Sequence, residues 1–154
     1  MPKKTTRSID QAVDLIAGEC LAVRTRLLNR TITGIYDDAL RPHGVTVGQL
    51  NILVFVAKRG PLPAGDVARR LNMEKSTVSR NVRLMRENGW LDVESEGSGH
   101  GRDLSLTEKG EALVEESLPA WKEAQTRAKA VLGQQGAASI HSVGDAVWSH
   151  IGRG

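Results

Sequence analysis

The sequence contains few of the features that mark a cross-linked or membrane-bound protein. Cys20 is its single cysteine, so the chain cannot form an internal disulfide. No apolar run approaches the ~18–20 residues that a transmembrane helix needs. The N-terminal M-P-K-K-T-T-R lacks the apolar core of a signal peptide. We therefore expect a cytoplasmic protein without a membrane partner.

Patterns that would indicate an enzyme or a metal site are also missing. The four histidines, His43, His100, His141 and His150, show no H-E-x-x-H spacing, and no C-x-x-C or G-x-S-x-G pattern occurs. The sequence therefore predicts a protein that is not an enzyme and that needs no metal and no cofactor.

Aromatic residues are scarce, at 3% of the chain, whereas basic residues are concentrated in one region. With one Phe and one Tyr, the core must be built mainly from Leu, Val, Ile and Ala. The net charge is only +3, but between Val67 and Arg86 a single acidic residue, Glu74, accompanies six basic residues. Local basicity of this kind is typical of a surface that contacts nucleic acid.

The N-terminal region predicts one long helix. Ser8 begins it, because S-I-D-Q has the pattern of a capping box, and Pro42 ends it near Leu40 or Arg41. Apolar residues recur along it at the three- and four-residue steps of a helix-packing seam. These are Ile9, Val13, Ile16, Cys20, Val23 and Leu27.

Three shorter helices follow. Thr46 caps the first through T-V-G-Q, and we expect Leu50, Leu53, Val54 and Ala57 to face inward from it. G-P-L-P reads as a turn, Ala64 to Leu71 as a short helix, and E-K-S-T-V-S-R-N-V-R-L-M-R-E-N-G-W as the next helix, with Gly89 in its left-handed cap. The apolar side of that helix carries Val78, Val82 and Met85, and the opposite side carries Ser76, Arg80 and Arg83.

After Gly89 the apolar period changes from that of a helix to that of a strand. W-L-D-V-E and D-L-S-L alternate apolar and polar residues, and S-E-G-S-G-H-G-R joins them, which predicts a hairpin with a glycine-rich tip. A phosphate-binding loop is a poorer interpretation, because such loops join a strand to a helix. A short helix, a tight turn, a basic helix and a hairpin together predict a winged helix-turn-helix.

The C-terminal region predicts two more helices. Thr107 caps the first, which is expected to run to Leu132 with a kink or break at Pro119. Gly133 to Gly136 reads as a linker before a last helix with an apolar stripe of Ile140, Val143, Val147 and Ile151. Apolar stripes on both terminal regions must be buried, and pairing across a twofold axis would bury them in a homodimer.

The expected fold is thus mainly α with a small β-hairpin wing: a winged helix-turn-helix with long N- and C-terminal dimerisation helices. The expected divisions are a basic tail over 1–7, an N-terminal dimerisation helix over 8–45, a DNA-binding lobe over 46–107 and C-terminal dimerisation helices over 108–154.

Several stretches resemble the multiple-antibiotic-resistance-regulator (MarR) family of bacterial transcription factors over about residues 20 to 133. They are C-L-A-V-R-T-R-L-L-N-R, Y-D-D-A-L-R-P-H-G-V-T-V-G-Q-L, L-N-M-E-K-S-T-V-S-R-N-V, E-N-G-W-L and R-D-L-S-L-T-E-K-G. The resemblance implies a homodimer whose two lobes grip a pseudo-palindromic operator in double-stranded DNA.

The resemblance also implies roles for individual residues. The recognition helix would read the major groove, and Arg102 would take the place of the wing arginine that enters the minor groove. Members often carry a D-x-R run at the wing tip; E-G-S-G-H-G-R here predicts a more flexible wing. The residues expected at the DNA are Lys75, Ser76, Thr77, Ser79, Arg80, Arg83, Arg102 and, against the DNA backbone, Arg69.

Regulation is implied by the resemblance alone. A small aromatic or phenolic effector would release a repressor from its operator, and Arg24, Leu28 and Tyr36 are candidates to line its pocket. Some members sense peroxide through a cysteine in the region of Cys20, so a thiol-based regulator of the same fold is one alternative to a structural cysteine. The other alternative function is a winged-helix module that contacts only proteins.

Overall fold

The computed structural model describes residues 5–94 and 102–151, and helices make up most of this part. The basic tail at Lys3 and Lys4 and the glycine-rich wing tip lie outside the described residues. The helices are α1 (Thr5–Glu19), α2 (Leu21–Leu40), a short 3-10 helix (Arg41–His43), α3 (Val47–Arg59), α4 (Ala64–Arg70), α5 (Lys75–Glu87) and α6 (Glu108–Ile151). The strands are β1 (Leu62–Pro63), β2 (Leu91–Glu94) and β3 (Asp103–Leu106).

The chain forms two compact units, Met1–Gly34 and Ile35–Gly154. In the first unit, the expectation of one uninterrupted helix from Ser8 was wrong in two respects. The helix already begins at Thr5, and it breaks at Cys20.

The break at Cys20 is stabilised by local hydrogen bonds. The Cys20 amide still donates to the Ile16 carbonyl over 3.1 Å. The Arg24 guanidinium donates to the Gly18 carbonyl and, over 3.3 Å, to the Cys20 carbonyl. Glycine and cysteine are both weak helix formers, so the interruption falls where helix propensity is low. The arginine partly replaces the backbone donors that the break removes.

In the second unit, α3 begins as its sequence predicts. Thr46 accepts a hydrogen bond from the Gln49 amide, and the Gln49 side chain accepts one from the Thr46 amide, which completes the capping box. The inward face was predicted partly wrongly: Ile52 and Val56 are buried with Leu50 and Leu53, whereas Val54 and Ala57 are exposed. The buried stripe runs one residue earlier on the helix than expected and includes Gln49.

The hairpin strands are confirmed, but the sheet has a third strand. β3 lies between β1 and β2 and is antiparallel to both. Leu62 pairs with Leu104 and Pro63 with Asp103, so G-P-L-P is not only a turn. A proline is tolerated there because β1 is an edge strand with no further neighbour to receive its missing amide.

A continuous apolar core joins α3, α4, α5, the sheet and the first part of α6. Tyr36, Met73 and Trp121 pack against its edge. Its buried members are Leu40, Val45, Leu50, Ile52, Leu53, Val56, Leu62, Val67, Ala68, Val78, Val82, Met85, Trp90, Leu91, Leu104 and Leu113. Since Leu, Val and Ile predominate, the expectation from the scarcity of aromatic residues is confirmed.

α6 is more continuous than its sequence predicts. Pro119 lies inside it, and the one residue with non-helical backbone angles is Gly133, with φ 70° and ψ 165°. The expected linker is therefore reduced to a kink at Gly133, beyond which the chain is helical again to Ile151. Glycine takes a positive φ without steric cost, which explains why the kink falls there.

Candidate nucleic-acid interface

The basic helix α5 has one buried and one exposed face. Val78, Val82 and Met85 are at most 9% exposed and belong to the core. The residues on the other side that sequence analysis placed at the DNA are Lys75, Ser76, Ser79, Arg80 and Arg83, all exposed, while Thr77 is half-buried. The helix therefore presents hydroxyl and guanidinium groups outward from a rigidly packed base.

A tight turn before α5 fixes where the helix begins. At the end of α4 the Asn72 amide donates to the Arg69 carbonyl, and the Met73 amide donates to the Ala68 carbonyl over 2.8 Å. Asn72 has φ 51°, a left-handed conformation that asparagine tolerates better than most residues. These two bonds have the pattern of a Schellman motif, which ends α4 and reverses the chain into α5.

The far end of α5 is tied to the wing and to α6. Gly89 has φ 75°, as its sequence predicts, and the Trp90 amide donates to the Met85 carbonyl over 2.8 Å. The Thr107 hydroxyl donates to the Gly89 carbonyl over 2.6 Å, and the Thr107 amide donates to the Trp90 carbonyl over 3.2 Å. Gly110 packs so closely here that a β-carbon would lie 2.1 Å from the Trp90 oxygen. Both ends of α5 are thus held by backbone contacts.

The basic groups near α5 have only exposed ionic partners. Arg83 Nε lies 3.8 Å from Glu87, and Arg69 Nη2 lies 2.8 Å from Asp66. Within the described part of the chain, Arg80 forms no salt bridge. Exposed pairs contribute ~0–1 kcal/mol, so a phosphate can replace either carboxylate at little cost. The surface is therefore able to receive a polyanion.

Arg102 stands at the start of the wing strand β3 and is exposed. The neighbouring Asp103 is buried at 9% exposure and lies opposite Pro63 on one side and Glu94 on the other. Arg102 therefore lies at the end of a paired strand and directly follows the glycine-rich stretch in sequence.

The candidate effector residues divide between the two units. In the first, the Arg24 guanidinium is engaged with the carbonyls at the Cys20 break, and Leu28 is 40% exposed. In the second, the Tyr36 hydroxyl donates to the Gln125 side chain, and its ring lies 6.3 Å from that of Trp121. Partial burial raises the pKa of the Tyr36 hydroxyl above its usual value, because a phenolate would lose solvation there.

The structure adds an apolar cleft that sequence analysis missed. Its volume is about 260 Å³, and α3 and α6 form its walls. It is lined by Leu50, Asn51, Val54, Val114, Leu118 and Trp121. No sequence signal pointed to the cleft, because Val54 falls on the stripe that was expected to face inward, and the exposure of Val54 and Leu118 is set by tertiary packing.

No helix among residues 5–94 and 102–151 is long and apolar enough to cross a membrane. In the same ranges, no group of three or more His, Cys, Asp or Glu side chains is placed to hold a metal ion.

The short helix α4, the turn, the basic helix α5 and the sheet of β1, β3 and β2 define a winged helix-turn-helix lobe. Comparison with known proteins agrees with this class. A model of the MarR family matches residues 43–103. The HTH-type transcriptional regulator YwoH of Bacillus subtilis is 28% identical over 87 residues, which is 56% of this chain and 64% of YwoH, a little under two thirds of its length.

Solved structures extend the similarity over most of the chain. The crystal structure of the M. tuberculosis transcriptional regulator MosR is 30% identical, with a TM-score of 0.72 over 85% of this chain and 97% of MosR. MosR in complex with DNA is 28% identical, with a TM-score of 0.68 over 85% of this chain and 99% of that one. The chain belongs to the MarR family of transcriptional regulators.

Proposed function

We propose that this regulator binds a pseudo-palindromic operator as a homodimer and acts as a repressor that a small molecule releases. The observation that carries the proposal is the division of α5 into a buried apolar face and an exposed face of serines and arginines. The MosR–DNA complex supports DNA as the partner, since MosR shares the fold over nearly its whole length.

In this proposal the polar and basic residues of the lobe divide the contacts with DNA among them. Arg80 and Arg83 read base edges in the major groove, where an arginine can donate a bidentate pair of hydrogen bonds to guanine. Ser76, Thr77 and Ser79 bond bases or phosphates nearby. Lys75 and Arg69 contact the DNA backbone, which adds affinity without sequence preference. Arg102 enters the minor groove beside the wing, where negative potential favours a guanidinium.

A homodimer would cover apolar surface that a single chain leaves exposed. The residues concerned lie on α1, α2 and the end of α6, and each is at least 45% exposed. They are Ile9, Val13, Ile16, Leu21, Val23, Leu27, Ile140, Val143 and Val147. Burying so many large apolar side chains between two copies would stabilise a twofold dimer, at ~25 cal/mol per Å² of area removed from water.

Effector release requires a ligand that prefers one arrangement of the lobes over the other. A ligand with equal affinity for both would bind without changing DNA affinity. The apolar cleft between α3 and α6 has room for a small aromatic molecule, and Trp121 offers a ring for stacking. The Tyr36 ring lies 6.3 Å from the ring of the same tryptophan. We propose this cleft as the place to look for the effector. Tyr36 of the same unit, and separately Arg24 and Leu28 of the first unit, stay candidates from the resemblance.

The deciding experiment is selection of binding sites from random and genomic DNA by the purified protein, followed by anisotropy titration of the enriched sequence at two salt concentrations. We expect an enriched pseudo-palindrome whose half-sites are ~10 base pairs apart or a multiple of that spacing. Affinity should fall steeply with salt, because phosphate contacts release counterions.

A matched pair of variants gives the titration a control. Arg80→Ala removes an exposed arginine from α5, and Arg127→Ala removes one from α6. Only the first should weaken binding to the enriched site. If no sequence is enriched and binding is weak and equal on all DNA, the proposal of a sequence-specific regulator is wrong. A module that contacts only proteins then becomes the better interpretation.

A further inference from the structure

The last turn of α4 is completed by a residue from the other end of the chain. Backbone amides of the turn satisfy the carbonyls of Ala68 and Arg69. The next carbonyl, that of Arg70, accepts its hydrogen bond from the Trp148 indole Nε1, 3.2 Å away. A helix end leaves such carbonyls without intrahelical partners, so Trp148 supplies a cap that the local sequence does not.

The capped turn sets the position of α5. Asn72, the only residue other than glycine with a positive φ among residues 5–94 and 102–151, follows Arg70 by two positions. α5 begins three residues later, at Lys75. A residue held in a sparsely populated backbone region persists only where its surroundings hold it there. Loss of the hydrogen bond to the Arg70 carbonyl is therefore expected to alter the turn from which the proposed recognition helix starts.

The contact depends on the indole N–H more than on packing. Trp148 is 60% exposed, and it lines two open clefts. One cleft, of about 390 Å³, includes Asn72 and Val147, and the other, of about 450 Å³, includes Met73. Removal of the N–H alone should thus weaken the attachment without opening a cavity in the core.

The segment that carries Trp148 is well suited to transmit a change. It follows the non-helical Gly133, where the regular helical path of α6 is interrupted. The same segment bears the exposed apolar residues Ile140, Val143 and Val147. A partner that covers these three residues therefore contacts the same helical segment that carries Trp148.

We propose that Trp148 is a positioning residue for DNA binding, which couples the C-terminal helical segment to the helix-turn-helix by capping α4. It touches no DNA itself; it holds the turn from which α5 starts. The proposal rests on the proposed DNA-binding function for its effect on affinity. The contact itself is testable without DNA.

The contact is tested first, by NMR of the ¹⁵N-labelled full chain. Trp148→Phe keeps a ring but removes the donor, so one of the three indole signals should vanish. The Asn72 and Met73 amides should shift and exchange about two- to tenfold faster, the range for loss of one neutral hydrogen bond. His150→Ala, an exposed neighbour outside both clefts, should leave these amides unchanged. If the chemical shifts and exchange rates of the Asn72 and Met73 amides are unchanged in Trp148→Phe, the proposal is overturned.

DNA binding is tested next, by anisotropy on the selected site. Trp148→Phe should weaken binding by about two- to tenfold, while His150→Ala binds like the wild type. The slope of affinity against salt should be unchanged, because no phosphate contact is lost. Sedimentation of each variant establishes that its oligomeric state equals that of the wild type.

The outcomes separate the two proposals. If the wild type selects no sequence, the proposed function is wrong, while the turn amides still test the contact. A third result is possible, in which the wild type binds its site and the Asn72 and Met73 amides of Trp148→Phe shift as expected, but the variant binds DNA as tightly as the wild type. Trp148 would then cap α4 without positioning α5, and the inference would be refuted.

Discussion

Replacing Gly110 with alanine would drive a methyl group into the backbone of the turn that follows α5. The new β-carbon would lie 2.1 Å from the Trp90 carbonyl oxygen and 3.1 Å from its carbon. Ordinary contact begins at 3.4 Å, so the two segments must separate by more than an ångström. The obstacle is backbone in a buried site rather than the end of a flexible side chain, so local rotation cannot relieve it.

Three terms set the expected size of the effect. Overpacking in a well-packed site costs ~1–3 kcal/mol. The hydrogen bond from the Thr107 amide to the Trp90 carbonyl, 3.2 Å long, lies at the point of collision, and its loss adds ~1 kcal/mol. Alanine in place of glycine inside a helix returns ~1 kcal/mol. We expect a net loss of ~1–3 kcal/mol, or a Tm lower by ~3–10 °C in a chain of this length.

Equilibrium denaturation of Gly110→Ala at fixed protein concentration measures this loss. The concentration must be fixed because the stability of a dimer depends on it. Gly65→Ala is the matched control: Gly65 is an exposed helical glycine of the same lobe whose added methyl would meet open space. That variant should be neutral or more stable by up to ~1 kcal/mol. Equal stability of Gly110→Ala and wild type, with the same denaturant slope, would refute the close approach.

Four further substitutions test other parts of the molecule. Arg80→Ala should cost ~1–3 kcal/mol of DNA affinity and relax the preference at one position per half-site, whereas uniform weakening on all sequences would mark a phosphate contact. Thr46→Ala should lower the free energy of unfolding by ~1 kcal/mol through loss of the α3 cap, while Thr46→Ser restores it. Tyr36→Phe should cost ~0.5–1.5 kcal/mol at neutral pH, because it loses the hydrogen bond to Gln125. Cys20→Ser should leave the response of DNA binding to peroxide as in the wild type, and loss of a peroxide-induced release in this variant alone would establish a redox switch.

The Tyr36 comparison also predicts a pH dependence. Burial raises the pKa of the folded-state hydroxyl above that of the unfolded chain, near 10. The stabilisation that the neutral Tyr36 hydroxyl contributes is therefore complete below pH ~10, and it is lost as the pH rises through the folded-state pKa of this group. Since Tyr36→Phe has no group to titrate, the difference in unfolding free energy between wild type and variant should shrink above pH ~10. A difference that stays constant to pH ~11 would contradict this assignment.

The parts of the fold that depend on neighbours in sequence were predictable. The spacing of Val78, Val82 and Met85 predicts the buried face of α5, and the T-V-G-Q pattern predicts the cap of α3, because both interactions join residues at most one or two turns apart. Gly89 was predictable for the same reason, since a left-handed cap is a local property of the chain.

The parts that depend on distant contacts were not predictable. β1 is two residues long, too short for an alternating pattern, and exists only because β3 pairs with it. The hydrogen-bond donor to the Arg70 carbonyl is Trp148, 78 residues away, and no local sequence pattern predicts this contact. At the candidate interface, the sequence predicts which side of α5 is polar. It does not predict the salt bridges that Arg69 and Arg83 form, because these depend on side-chain conformations.

The division of α5 separates what keeps the lobe folded from what it offers to a partner. Val78, Val82 and Met85 are held by the core, and a smaller side chain at any of them would cost several kcal/mol. Ser76, Ser79 and Arg80 are exposed, and exchanges at such surface positions typically change stability by less than ~0.5 kcal/mol. Duplicated copies of such a gene could therefore diverge in the sites they recognise while each product remains equally well folded.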